Sequence, residues 1–254
     1  MAPVSPWYWL GYVIPHLHTD LDAYQFYKAA PDGVVLVTTQ LNLREYSLAA
    51  VEEELPTLWQ RVDVLAKQQV DRIAVSGVPV AAALGRTRML QLLDEVRART
   101  GLPCDTDLEA HIAALHHLKA RRIGLATRWP DQVNAGLVRY LAEAGIEVGA
   151  CRSRGRTLAE NKSASPADDH ELALELGRQV FQDFPAAEAL LLPGGLWFAV
   201  HAVPTLEAEL GIPVLVNITS TLWAALHAVG GDLPHYPDPR WSRLLASLQT
   251  PVGG

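Results

Sequence analysis

Two apolar stretches of this sequence end in the same way, and their repetition constrains the fold more than any other feature. Residues 72–79 read Arg-Ile-Ala-Val-Ser-Gly-Val-Pro, and residues 189–196 read Ala-Leu-Leu-Leu-Pro-Gly-Gly-Leu. Each is typical of a buried strand that ends at small residues. Each is followed by a helical pattern and then by a second strand that opens with proline. These second strands begin Gly101-Leu102-Pro103-Cys104 and Gly211-Ile212-Pro213-Val214. One half of the chain therefore looks like a degenerate copy of the other, which predicts two facing junctions at one cleft.

The rest of the sequence alternates short apolar stretches with amphipathic helical patterns. Strands are predicted at residues 9–14, 33–38, 72–75, from Pro103, and at 121–127, 147–151, 189–192 and 213–217. Helices are predicted at residues 51–69, 86–100, 108–118, 131–143, 170–181, 205–210 and 221–229, and a final helix over 235–248 is expected to pack on the first half. This order indicates an α/β fold of two pseudo-symmetric Rossmann-like halves, with parallel sheets and a cleft between them. The first half takes residues 1–117 and 231–254, and the second takes residues 118–230.

Composition narrows the class of protein. The chain has 254 residues, of which 49% are hydrophobic and 19% charged, with a net charge of −7 and no basic stripe. These values argue against a nucleic-acid partner, and no apolar stretch has the roughly 18–20 residues that a membrane span needs. The N-terminus lacks a signal-peptide pattern, so we expect a cytoplasmic enzyme. The sequence leaves a homo-oligomer open.

The loops after the predicted strands are the expected binding region, since ligands of such sheets bind beyond the carboxyl ends of the strands. Gly77, Gly194 and Gly195 allow the backbone to approach a ligand, and their N–H groups are suited to an anion. Asn217 and Thr219 add neutral hydrogen-bonding groups. A small carboxylate would suit these loops, and the alternative is that the glycines and prolines only turn the chain.

Several motifs carry a resemblance to a known family. They are Thr100-Gly101-Leu102-Pro103-Cys104, Arg121-Arg122-Ile123-Gly124-Leu125-Ala126-Thr127, Asp131-Gln132-Val133-Asn134, Gly149-Ala150-Cys151-Arg152-Ser153 and Leu191-Leu192-Pro193-Gly194-Gly195-Leu196. In these motifs the sequence resembles the arylmalonate decarboxylase and maleate cis–trans isomerase branch of the aspartate/glutamate racemase superfamily. The resemblance covers about residues 60–230 and implies cofactor-free chemistry on a small carboxylate.

The sequence departs from this family at the residues that carry its chemistry. The resemblance implies one cysteine at each junction in the racemases and the isomerase, and only the second in the decarboxylase, where it donates a proton. Gly77 and Pro193 stand at these two positions, and proline has neither a titratable group nor an N–H. A mechanism that depends on cysteine is therefore not expected. The remaining thiols, Cys104 and Cys151, match positions that are not catalytic in the relatives, and we interpret both as structural.

Two further positions near the cleft differ from the decarboxylase. Val78 and Pro79 replace a Thr-Ser pair, which removes two hydroxyl groups that would hold a carboxylate. Trp129 stands where the decarboxylase has a tyrosine. Together with Pro193, these changes favour either another mechanism or a binding protein that has lost the chemistry.

The first loop, Pro15-His16-Leu17-His18-Thr19-Asp20, brings new chemistry. In an extended segment His16 and His18 point the same way, so they are candidates for a paired acid and base, because imidazole near pH 7 is the best single replacement for a thiol in proton transfer. A metal site would need a third ligand, and the candidates Asp20, Glu45 and His201 do not have diagnostic spacing, so no metal is predicted. The alternative is that one histidine bonds the loop and the other faces solvent.

Other polar residues have two interpretations each. Tyr46 is a candidate acid or a helix cap. Asp105, Asp107 and Glu109 follow the strand that opens with Pro103, and Asp105 is a candidate for the cleft, although carboxylates at helix N-termini are common without function. His111 is interpreted as a surface or core residue.

The sequence thus predicts a cofactor-free lyase or isomerase acting on a small carboxylic or dicarboxylic acid, aryl- or alkyl-substituted, with histidine in place of cysteine. Catalytic candidates are His16, His18 and Tyr46. Substrate-binding candidates are Gly77, Val78, Trp129, Pro193, Gly194, Gly195, Asn217 and Thr219. The alternatives are a hydrolase or hydratase with an imidazole-activated water, and a non-catalytic carboxylate-binding protein.

Overall fold

Two four-stranded parallel sheets form the centre of the protein, as the computed structural model shows for residues 5–17 and 20–249. The strands are β1 (Tyr8–Ile14), β2 (Val34–Gln40), β3 (Arg72–Val75), β4 (Cys104–Thr106), β5 (Arg122–Thr127), β6 (Glu147–Ser153), β7 (Ala189–Leu192) and β8 (Val214–Val216). The first sheet has the order β2-β1-β3-β4, and the second has the order β6-β5-β7-β8. Within each half, the strands therefore lie in the order second, first, third, fourth. This shared order confirms the fold predicted from the repeated junctions.

Helices connect the strands and cover the sheets. They are α1 (Asp20–Ala29), α2 (Leu48–Lys67), α3 (Val78–Leu84), α4 (Arg86–Thr100), α5 (Asp107–His117), α6 (Asp131–Glu143), α7 (Leu158–Ser163), α8 (Pro166–Asp183), α9 (Val203–Leu210), α10 (Asn217–His227) and α11 (Arg243–Ala246). Local signals set several ends: the Ser47 hydroxyl accepts a hydrogen bond from the Ala50 N–H at the start of α2, and Gly101 ends α4 at a φ of 70°. No helix within residues 5–17 and 20–249 has the length and apolar content to cross a membrane.

The two halves pack together through two pairs of helices, of which α5 and α10 occupy equivalent places in the repeat. α5 packs against α10, and α3 packs against α6. Gly136 is required at the second contact, because a Cβ there would lie 2.8 Å from the carbonyl oxygen of Ala82. Buried side chains of both sheets, such as Ile73 and Leu125, belong to one continuous hydrophobic core. The halves therefore have a shared core, and their division at residue 117 stays a prediction.

The C-terminal segment differs from the sequence-based expectation. Instead of one helix over residues 235–248, it forms 3₁₀ turns at Pro239–Trp241 and Ser247–Gln249 with the short α11 between them. Pro237 and Pro239 explain the break, because proline lacks the N–H that a continuous helix needs. The segment packs mainly on the second half, through α9, α10 and β8, and reaches the first half where the His117 ring bonds the Ser247 hydroxyl at 3.1 Å.

Candidate active site

A narrow cleft lies at the carboxyl ends of the strands, between the two junctions. Its lining residues come from both halves: Pro15, His16, Leu43, Tyr46, Ser76, Gly77, Val78, Pro79, Val80, Arg128, Trp129, Leu158, Gly194, Gly195 and Leu196. The cavity volume is about 30 Å³, which is room for one or two water molecules. The cleft therefore has to widen before a carboxylic acid can enter.

The two junctions have the same backbone geometry. Gly77 follows β3 with a φ of 121°, and Gly194 follows β7 with a φ of 125°, a region that side chains rarely allow. A Cβ at Gly77 would lie 3.2 Å from the Pro15 ring, and a Cβ at Gly194 would lie 3.2 Å from the Trp129 ring. Each junction is thus covered by the loop that follows the first strand of its own half.

The N–H groups of these two glycines bond to the protein itself. The Gly77 N–H donates to Asp107 Oδ2 at 3.2 Å, and the Gly194 N–H donates to Asn217 Oδ1 at 2.7 Å. Asp107 and Asn217 begin the equivalent helices α5 and α10, and the Asn217 amide donates to Asp107 Oδ2 at 2.7 Å. In this state of the cleft both glycine N–H groups are therefore bonded within the protein, and their contact with a substrate carboxylate stays a prediction.

Asp107 is the centre of a fully buried polar network. Its carboxyl group accepts the hydrogen bonds from the Gly77 N–H and the Asn217 side chain described above. It also accepts hydrogen bonds from the Ser76 hydroxyl at 2.6 Å and the Thr221 hydroxyl at 2.9 Å, and the Tyr12 hydroxyl lies 3.3 Å from both oxygens. Burial raises the pKa of the Asp107 carboxyl above its ordinary value, and the donated hydrogen bonds oppose this rise. Of these partners, Ser76 and Gly77 line the cleft.

The network continues to His111, which is buried and does not belong to the cleft lining. The His111 ring contacts Asn217 Oδ1 at 2.9 Å through Nε2 and the Ser220 hydroxyl at 2.8 Å through Nδ1. Burial lowers the pKa of His111 from 6.5 to about 4, so the ring is neutral at pH 7. His111 is thus a core residue with bonded ring nitrogens, one of the two interpretations that the sequence left open.

A second buried network places a cation at the cleft. Arg128 is 3% exposed and donates to Asp169, which is 1% exposed, at 2.6 Å. Arg156 also donates to Asp169, at 3.0 Å, so two guanidinium groups share one carboxylate. The Trp197 ring lies under Arg128, 5.5 Å from its guanidinium carbon, and the Trp197 N–H donates to the Asp169 carbonyl. Arg128 therefore presents a fixed positive charge at the cleft.

Two of the three catalytic candidates can be placed, and both line the cleft. The His16 side chain is 6% exposed and lies in the loop after β1. Tyr46 is half-buried, its hydroxyl accepts a hydrogen bond from Asn161 Nδ2 at 3.3 Å, and its ring meets Trp129 edge-on at 6.5 Å between centroids. Burial raises the pKa of Tyr46, which keeps the phenol protonated at neutral pH. His18 lies outside the described residues, so its role stays a prediction.

The substrate-binding candidates separate into two groups. Gly77, Val78, Trp129, Gly194 and Gly195 line the cleft. Pro193, Asn217 and Thr219 are buried and do not belong to its lining. The Thr219 hydroxyl caps α10 by accepting a hydrogen bond from the Val216 N–H at 3.4 Å, and it donates to the Val216 carbonyl at 3.1 Å.

Other polar candidates lie elsewhere. Asp105 is paired with Arg72 at the edge of the first sheet and does not line the cleft. Within the described part of the chain, no three His, Cys, Asp or Glu side chains are grouped closely enough to hold a metal ion. His201, a candidate metal ligand in the sequence, packs instead against the rings of Phe198 and Trp241.

Neither cysteine is among the cleft-lining residues. Cys104 is buried in β4, and burial raises the pKa of its thiol to about 12. Cys151 is exposed on β6, and its thiol pKa is raised as well. We expect a thiol-reactive reagent such as dithiobis(nitrobenzoate) to titrate one thiol per native chain and two after denaturation. Rapid titration of both native thiols would contradict the burial of Cys104.

Sequence reasoning did not assign roles to Ser76, Asp107 and Arg128. For Asp107 a signal existed in the repeat, since Asp107 follows Pro103 at the same distance as Asn217 follows Pro213. His111 and Thr221 are also equivalent positions in the repeat. In the structure each contacts the other half: His111 bonds Asn217, and Thr221 bonds Asp107. Arg128 gave no such signal, because its partner Asp169 is distant in sequence.

Comparison with known proteins agrees with this geometry. A family profile described as arylmalonate decarboxylase matches residues 13–238. The arylmalonate decarboxylase of Bordetella bronchiseptica is 32% identical over 173 residues, which are 68% of this chain and 71% of that enzyme. A solved glycine-to-cysteine, cysteine-to-serine double mutant of arylmalonate decarboxylase, in the liganded form, is similar with a TM-score of 0.82 at 26% identity, covering 94% of this chain and 98% of that one.

The fold extends to a second enzyme. A mutant of the Nocardia farcinica maleate cis–trans isomerase, with a covalently bound succinylcysteine intermediate, is similar with a TM-score of 0.80 at 18% identity, over 94% of this chain and 98% of that one. At this identity the similarity shows the fold alone. The extent of the profile match and the identity to the Bordetella enzyme confirm the resemblance read from the sequence: the chain belongs to the arylmalonate decarboxylase family.

Proposed function

We propose that this protein is a cofactor-free lyase or isomerase acting on a small carboxylic or dicarboxylic acid, with histidine in place of cysteine for proton transfer. One observation carries the proposal: Arg128 and His16 line the same cleft between the two junctions. Arginine binds carboxylates through paired hydrogen bonds, and imidazole exchanges protons near neutral pH. Membership of the decarboxylase family supports this class of reaction.

Arg128 would hold a carboxylate of the substrate, and the indole of Trp129 would contact its organic substituent. In a decarboxylation, the bond to the departing carboxylate breaks, and its electron pair stays on the α-carbon as carbon dioxide leaves. Protonated His16 then gives its proton to that carbon and is neutral afterwards. In an isomerisation, neutral His16 takes a proton from carbon, and the product forms when a proton reaches the opposite face of that carbon. The Tyr46 phenol is a further hydrogen-bond donor at the cleft.

Access requires movement, because the cavity of about 30 Å³ is smaller than any such acid. Leu43 and Tyr46, from the connection between β2 and α2, line the cleft together with Leu158 of α7. We propose that these segments separate to admit the substrate and close over it, which would exclude water during the reaction.

The test is a turnover screen in heavy water, followed by NMR, with phenylmalonate, methylmalonate and maleate as substrates. We expect carbon dioxide release with deuterium at the α-carbon, or deuterium exchange without release. His16→Ala is expected to lower kcat/KM by about 100-fold or more, the usual contribution of general acid–base catalysis. His18→Ala tests the second imidazole. His116→Gln serves as the matched control, because His116 bonds a backbone carbonyl on the surface.

Two outcomes would contradict the proposal. Full turnover by His16→Ala would contradict the role of His16 in proton transfer, but not the assignment of the protein as a lyase or isomerase. If the wild type turns over none of these acids, the assignment as a lyase or isomerase is contradicted, and hydration, hydrolysis or carboxylate binding is favoured.

A further inference from the structure

The buried carboxyl group of Asp107 lies directly behind the cleft, and the mechanism above does not use it. Its connection to the cleft is Ser76, a residue that is 4% exposed and belongs to the cleft lining. Ser76 Oγ donates to Asp107 Oδ2 at 2.6 Å and accepts a hydrogen bond from the Tyr12 hydroxyl at 2.9 Å. A hydroxyl in contact with both a cleft and a buried carboxyl group is arranged to move a proton between them.

We propose that Ser76 and Asp107 form a proton relay for the second proton transfer of an isomerisation, in which Ser76 exchanges a proton with the substrate carbon and Asp107 supplies or accepts it. The relay deepens the proposed function and rests on it for the identity of the substrate. In this scheme Ser76 is a catalytic residue, since it touches the substrate, and Asp107 acts through it.

The hydrogen bonds around Asp107 fit this role. The Gly77 N–H and the Asn217 amide donate to Oδ2 and cannot accept in return, so they fix the orientation of the carboxyl group. The hydroxyls of Ser76 and Thr221 can rotate and change from donor to acceptor. The carboxyl group can thus be held in place both as a carboxylate and as an acid.

The proton balance of the relay is complete without a further reactant. In an isomerisation, once His16 has taken a proton from one face of the carbon, Ser76 gives its hydroxyl proton to the other face and takes the proton of the Asp107 acid. A C–H bond forms, the O–H bond on Asp107 breaks, and Asp107 ends as a carboxylate. After product release, a proton from water in the cleft returns through Ser76. In the opposite direction the proton passes from carbon to Ser76 and on to Asp107, and protonated His16 gives the proton to the other face of the carbon.

Burial favours the protonated forms of both Asp107 and Tyr12. Burial raises the pKa of the Asp107 carboxyl, which makes its acid form more accessible near neutral pH. Burial and the nearby Asp107 also raise the pKa of Tyr12, so its phenol stays protonated and keeps Ser76 oriented. The Tyr12 hydroxyl is closer to Ser76 Oγ, at 2.9 Å, than to either carboxyl oxygen, at 3.3 Å.

The first experiment needs no substrate. Ser76→Cys in a Cys151→Ser background places a thiol at the cleft, while Cys104 stays buried. We expect iodoacetamide to alkylate the new thiol in the native protein, and mass spectrometry gives the rate at each pH. Adding Asp107→Asn removes the neighbouring negative charge, so the midpoint of the alkylation profile is expected to fall by about one pH unit or more. An unreactive thiol or an unchanged midpoint would overturn the relay.

The second experiment uses the acids that the wild type turns over in the heavy-water screen. Ser76→Ala and Asp107→Asn are each expected to lower the rate by about 100-fold, and Asp107→Asn to remove one limb of the pH profile of kcat. Ser220→Ala is the matched control: its buried hydroxyl bonds His111 in the same network but does not touch Asp107. Wild-type turnover by Ser76→Ala would overturn the relay.

The two experiments separate the two proposals. Coupling of the Ser76→Cys thiol to Asp107 without any turnover would contradict the proposed function and support the Ser76–Asp107 pair. Turnover that depends on His16 but not on Ser76 would support the proposed function and overturn the relay.

Discussion

Replacing Asp169 with asparagine is expected to lower the free energy of unfolding by about 3–5 kcal/mol, the usual cost of removing one partner from a buried ion pair. The guanidinium of Arg128 is 3% exposed, so the variant leaves a buried cation without an anion. The side chains are nearly the same size, and the bond from the Trp197 N–H goes to the Asp169 backbone, so the loss reflects charge. Urea denaturation at neutral pH measures it.

Arg128→Met is expected to cost less than Asp169→Asn, because Arg156 still pairs with Asp169 at 3.0 Å. The double variant Arg128→Met/Asp169→Leu should regain part of the loss, since it removes both buried charges. Asp63→Asn is the control: Asp63 pairs with Arg99 at 2.6 Å on the surface, where water and salt screen the charges. If Asp169→Asn cost no more than this control, the buried pair would not be what holds Arg128 at the cleft.

The second large effect concerns pH. We expect His111 to account for about 3 kcal/mol of the stability lost between pH 7.5 and pH 4, because its pKa falls from 6.5 to about 4 on folding. A histidine with a lowered pKa in the folded state stabilises the protein fully above pH 6.5. This contribution is lost as pH falls toward 4, because the unfolded chain binds the proton first.

The measurement is the free energy of unfolding of the wild type and of His111→Gln at both pH values. The difference between the two proteins should shrink toward pH 4, and this comparison separates His111 from Asp107. The raised pKa of Asp107 acts in the opposite direction, since its contribution is present at low pH and lost as pH rises through its folded-state pKa. His116→Gln, at an exposed site, should leave the pH dependence unchanged. A His111→Gln protein with the same pH dependence as the wild type would contradict the expectation.

Local sequence patterns explain which elements could be predicted. The core strands could be predicted because they are short apolar stretches between glycine or proline residues. Helices α2 and α4 could be predicted because their apolar residues recur at helical spacing. Helix α3 was not. Its residues, Val78–Leu84, are all apolar or small, and most of them are buried, so no polar face gave a helical period.

The candidate site was predicted in outline and changed in detail. The sequence placed His16, Tyr46 and the two junction glycines at the cleft, because residues after parallel strands meet at one edge of a sheet. It also assigned their amides to a substrate, whereas the structure gives the amides of Gly77 and Gly194 to Asp107 and Asn217. Whether a backbone N–H is open to a ligand depends on which side chains pack against it, and the local sequence does not contain that information.

The sequence by itself determined the repeated α/β halves, the family, and the glycine and proline at the two junctions. These features are local, since they depend on periodicity, turn residues and short motifs. Only the tertiary structure brought Ser76 against Asp107 and Asp107 against Asn217, and placed Arg128 on Asp169. Such partners are many residues apart, and a polar side chain reads as an ordinary surface residue until folding buries it. Burial then makes each hydrogen bond and charge pair necessary, which is why the chemistry of the cleft emerges only at that level.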